Sequence, residues 1–154
     1  MNSLVLTLPG MERQAERQTA DSILACNGMT APYGLTLTEH QALALAQTRT
    51  DALRETRRIE WNGGIVDKLI AAFCTSPYME PDTYEETLHE LIGLFYALKN
   101  ETQDRISDGD LIAFLKTAFD GSCRGSMERL SAAALRLSAH VRRGRPPETF
   151  REEE

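Results

Sequence analysis

The chain is predicted to be all-α, an irregular bundle of five to six helices, and three observations carry that expectation. Apolar residues recur three and four positions apart over most of its length. Ser or Thr stands at the head of the periodic stretches, where a side chain can accept the free backbone N–H groups. Glycine or proline closes them.

The start, MNSLVLTLPG, has an apolar run only from Leu4 to Leu8 and no basic leader, so neither a signal peptide nor a membrane span is expected. Residues 1–18 are read as a short extended N-terminal arm. A short first helix is expected from Thr19 to Asn27, ended by Gly28, with TAPYG (30–34) as a loop. Thr38 heads the second helix; Gln41 three residues on completes a capping box. This helix runs to about Arg57, with Ala42, Leu45, Ala46, Arg49 and Leu53 along one stripe. The third, Gly64 to Cys74, buries Ile65, Val66, Leu69, Ile70 and Phe73 before Pro77 blocks continuation. Pro81 suits the first turn of a fourth helix, about Asp82 to Lys99, whose stripe is Tyr84, Leu88, Leu91, Ile92, Phe95 and Leu98. Ser107 caps a fifth, to Phe119, with Leu111, Ile112, Leu115, Ala118 and Phe119 inward. Ser126 caps a sixth, to Arg142, with Met127, Leu130, Ala134, Leu137 and Val141 as its seam. Short connections make the third, fourth and fifth helices expected antiparallel neighbours.

Between the second and third helices, RRIEWNGGIVDKLI (57–70) holds the one Trp of the chain, Trp61, followed by Asn62, Gly63 and Gly64. Ile59-Glu60-Trp61 alternates apolar and polar, which predicts a minor β link. The glycines permit a reversal and a helix start, where free N–H groups can hold an anion. No GKS/T and no GxGxxG accompanies them, and Asp67 follows, so a turn is the preferred reading over a phosphate site.

Other constellations fall short of a chemistry. In DRISDGDLIAFL (104–115) the acids resemble a calcium loop, but Ile106 and Leu115 stand where an oxygen ligand and the closing Glu are required. Glu86 and His89 have the spacing of a di-iron helix without the second such pair. Cys26, Cys74 and Cys123 are odd in number and far apart, which suggests neither disulfides nor zinc and suits a reducing cytoplasm. Cys74 lies on an apolar face; Cys123, beside Arg124, has the better setting for a reactive thiol. No catalytic residue, cofactor or metal ligand is assigned.

Seventeen Lys and Arg against 23 Asp and Glu give a formal charge of -6, which disfavours nucleic acid and anionic membranes as partners. The one basic feature is Arg129, Arg136 and Arg143, seven apart on the sixth helix, with Arg124, Arg142 and Arg145 beside them. No aromatic residue is interleaved as a single-strand reader would need, so a solvated or acid-paired face is expected.

YGLTLTEHQALAL (33–45), RIEWNGGIVDKLIAAFCTSPY (58–78), ISDGDLI (106–112) and AFDGSCRGSMERL (118–130) resemble the shared blocks of an uncharacterised family of bacterial proteins, mostly from Firmicutes, known only as a domain of unknown function. The resemblance covers about two thirds of the chain. It implies a bacterial, cytoplasmic setting and brings no activity and no functional residues with it.

The sequence thus predicts one helical domain over residues 19–144 and a disordered, polar tail over 145–154. Its expected role is non-enzymatic: contact with a protein partner or with itself, through Trp61 and through Arg129, Arg136 and Arg143. The competing expectation is an enzyme or small-ligand binder whose site is assembled by the fold from Tyr33, Asn62, Asp67, Tyr78, Glu86, His89 and Cys123.

Overall fold

Three side-chain caps set where helices begin. Thr38 Oγ1 accepts the backbone N–H of Gln41 and the Gln41 side chain accepts that of Thr38, closing the capping box. Ser107 accepts from the N–H of Asp110 and Ser126 from that of Arg129. In the computed structural model, which describes residues 9–60 and 64–151, six helices result. They are α1 (Pro9–Ala25), α2 (Glu39–Glu55), α3 (Gly64–Phe73), α4 (Tyr84–Glu101), α5 (Asp108–Asp120) and α6 (Met127–Arg142). A single helical turn, Asn27–Thr30, and a 3-10 turn, Ala31–Tyr33, lead from α1 toward α2.

The apolar stripes dictate how the helices assemble. Every residue expected inward on α3, α4 and α5 is buried. Helix α4 also buries Tyr96 and Lys99, because it is enclosed on several sides by α2, α3, α5 and α6. A row α1–α2–α4–α6 is covered by α3 and α5, which pack on each other and on α4. Phe73 and Phe119 meet edge to face at 5.3 Å between α3 and α5. Each such side chain contributes about 1.5–3 kcal/mol by leaving water. Lys99, at the end of α4, donates to the Ile106 carbonyl at 2.6 Å and pairs with Asp108 at 2.8 Å, which ties α4 to the start of α5.

Three expectations need correction. Residues 9–18, read as extended arm, belong to α1, since proline is tolerated in a first turn and MERQAERQ is made mainly of good helix formers. The tail is not loose through residue 150: Pro147–Thr149 forms a 3-10 turn, and Phe150 packs edge to face on Phe114 and on His140. Composition pointed to disorder, but one aromatic anchor and a buried imidazole outweigh it. The β link is absent from its described part, as Ile59 and Glu60 carry no strand pairing. Trp61, with Asn62 and Gly63, lies outside the described residues, as do residues 1–8.

The α5–α6 corner turns at Gly125, whose φ is +80° and where a Cβ would stand 2.5 Å from that of Tyr78. Gly144, after α6, has φ +82° and open space around it. Replacing Gly144 with Ala should cost about 1–2 kcal/mol, the left-handed backbone penalty alone. Gly125→Ala should cost that plus about 1–3 kcal/mol of overpacking. Urea melts of the two variants measure the difference; equal losses would remove the Tyr78 contact from the account.

Candidate functional site

Helix phase turns Arg49 inward with its apolar stripe, leaving it 6% exposed, so the fold must supply its partners. From α1, Thr19 accepts from Arg49 Nη1 at 3.4 Å. After α2, Glu60 accepts from Nη2 through both its carbonyl and its carboxylate, again at 3.4 Å. From α4, Tyr96 donates to Glu60 Oε1 at 2.7 Å. The Tyr96 phenol is pushed well above its ordinary value, first by burial and then by the Glu60 carboxylate that accepts its hydrogen bond. The Arg49 contacts are long, and its Nε is buried with no hydrogen-bond partner among the described residues.

One turn further along α1, Ser22 donates to Asp67 Oδ2 of α3, while Oδ1 is buried and unpartnered among the described residues. Cys26 follows on the same face, spacings of three and four keeping Thr19, Ser22 and Cys26 together. Its thiol is pushed up to about 11 by burial and by Asp67. Burial also raises Tyr84 to about 12, against a hydrogen bond from Thr30. A polar seam therefore runs beneath α1, with a buried cation whose Nε and a half-buried carboxylate whose Oδ1 have no partner among the described residues. Of its members, only Asp67 was singled out from sequence as a site residue.

The arginines of α6 are surface groups. Arg129, Arg136 and Arg143 are all exposed, and Arg142 pairs with Glu101 of α4 at 3.0 Å. Beside their stripe lies Leu135, 67% exposed, with Ala132 and Ala139 a turn away on either side. Sequence reading placed the arginines and missed the leucine, though its position opposite the Leu130, Ala134, Leu137 seam was the available signal.

The remaining candidates do not converge. His89 bridges Glu85, at 2.9 Å from Nε2, and Thr48 of α2, at 2.6 Å from Nδ1, whereas Glu86 is exposed. Tyr33 and Tyr78 are exposed, and Cys123 is buried in the α5–α6 corner. Two acids of the calcium-like loop have structural partners: Asp104 pairs with Arg58 at 2.6 Å and Asp108 with Lys99. Among the described residues no group of three His, Cys, Asp or Glu side chains could hold a metal ion, and no helix is long and apolar enough to cross a membrane.

A family model described as a family of unknown function, DUF6323, matches residues 22–146. The chain belongs to the DUF6323 family. No curated protein and no solved structure matches it. The DUF6323 match takes in Arg49, Glu60, Asp67, Tyr96 and the α6 arginines, and stops within the Pro146–Phe150 segment.

Two measurements test the seam. Glu60→Gln leaves a buried cation without its anion and should cost about 3 kcal/mol, whereas Tyr96→Phe, losing one hydrogen bond, should cost about 1 kcal/mol; a smaller loss for Glu60→Gln than for Tyr96→Phe would contradict the charge assignment. Cys26 and Tyr84 have folded values raised from 9.0 and 10.0 to about 11 and about 12. Their contribution is therefore complete below about pH 9 and lost as pH rises through 11 and 12. Thermal melts across that window should fall for the native chain and fall less for Tyr84→Phe.

Proposed function

We propose that this protein acts without catalysis, by docking an acidic protein surface on the outer face of α6. The observation that carries the reading is Leu135, 67% exposed and set beside the exposed stripe of Arg129, Arg136 and Arg143. An exposed apolar side chain flanked on one side by a row of arginines is the composition of an interface anchor, since arginine brings both charge and contact area. From Arg124 to Arg145 the chain has six arginines and one acid, Glu128, although its net charge is -6. That polarity selects an acidic partner, and a second copy, through its acidic remainder, is chemically eligible. Three free cysteines suit the reducing cytoplasm of a bacterial cell.

A second reading is favoured by one observation, the buried Nε of Arg49 with no partner among the described residues: a small anion would be held in the seam beneath α1. Mass spectrometry of the protein purified under native conditions distinguishes the two, because that reading requires a retained small molecule.

Docking is tested by light scattering together with affinity capture at low salt, using the native chain, Leu135→Asp and Arg136→Glu. The native chain should self-associate or retain a defined partner, and each variant should weaken that association at least about tenfold while keeping its helical spectrum. A monomer that captures nothing would overturn the proposal.

A further inference from the structure

The segment after α6 builds a wall. His140 is 1% exposed, and its Nε2 lies 2.9 Å from the Pro146 carbonyl and 3.0 Å from Thr149 Oγ1. Thr149 in turn donates to the Pro146 carbonyl at 2.7 Å. Phe150 is seated between the rings of Phe114, at 5.8 Å, and His140, at 5.4 Å. Alongside this wall opens a cleft of about 300 Å³, at the lower end of the range that takes a small organic ligand. Phe114, Leu137 and Phe150 supply its apolar surface; Asp110, Glu148 and Arg105 supply its charges.

The charges decide what would fit. Arg105 is already engaged, Nη1 donating to the Val141 carbonyl at 3.0 Å and Nη2 to Gln103 at 3.2 Å. Asp110 and Glu148 come from different elements, α5 and the wall, and neither carboxylate has an ion pair among the described residues. A cation entering here meets two carboxylates against a single guanidinium, with two phenyl side chains to take its apolar body. An anion meets one guanidinium, two of whose five N–H donors are already engaged, against two carboxylates that repel it.

We propose that this cleft binds a small organic cation with an apolar body, of the arylalkylamine class, its ammonium held by Asp110 and Glu148 and its ring against Phe114, Leu137 and Phe150. The proposal is independent of docking on α6.

The test is a calorimetric titration of the full chain with 2-phenylethylamine, and in parallel with phenylacetate, the same body carrying the opposite charge. Saturation by the amine below about 1 mM is expected, which is attainable for a ligand of that size, with no saturation by the acid. Asp110→Asn with Glu148→Gln should weaken the amine about tenfold, two partly exposed charge contacts being lost. Both side chains are exposed, so this variant should keep its fold, which circular dichroism checks. Phe150→Ala should weaken the amine too, by removing a wall. No saturable amine binding, equal binding of the acid, or undiminished binding by the double variant would each overturn the assignment.

Discussion

A buried guanidinium has to be neutralised where it stands, and in this fold that requirement falls on several elements at once. Arg49 projects from α2 and finds Thr19 on α1 and Glu60 on the link beyond α2, while Tyr96 of α4 holds Glu60 in place. Apolar packing alone permits small slides of one helix along another; a charge with assigned partners does not. The seam therefore sets how α1 and the post-α2 link meet the α2–α4 pair. Isolated, such an ion pair adds little net stability, because desolvation offsets most of its attraction. Its effect is on which arrangement is adopted, consistent with the long Arg49 contacts and with an Nε that has no partner among the described residues.

Much of the fold was legible beforehand, and the reason is local. The caps at Thr38, Ser107 and Ser126 depend on residues three positions apart, and each forms as read. The stripes of α3, α4 and α5 depend only on helical period, and all of their expected residues are buried. Arg49 shows where this stops: the stripe placed it inward, but Glu60 and Tyr96 are brought to it by chain reversals that no short pattern encodes. The ordered segment after α6 escaped for a related cause. RPPETF has the composition of a loose tail, and its Phe150 finds Phe114 and His140 only once α5 and α6 are side by side. The start of α1 was missed differently: residues 1–18 read as one extended arm, although proline is at home in a first helical turn and the residues after it are mainly good helix formers.

The polar residues divide into those that hold the fold and those left over. Asp104, Asp108 and His89 resemble functional groups in sequence, and each is occupied by an ion pair or an interhelical hydrogen bond. What is left over lies elsewhere: the two carboxylates that line a small cleft and, among apolar side chains, a leucine on the outer face of α6. Neither is marked by a complete motif. Both become visible only when burial and partnership are assigned residue by residue, since an unexplained group is defined by what does not touch it.

The close approach of Gly125 to Tyr78 bears on how force passes through the molecule. The α5–α6 corner and the connection between α3 and α4 share a contact so tight that one of the two residues must lack a side chain. Close-packed surfaces of this kind transmit displacement rather than absorb it. The two corners are fixed against one another, so a displacement at the start of α6 meets the α3–α4 connection directly.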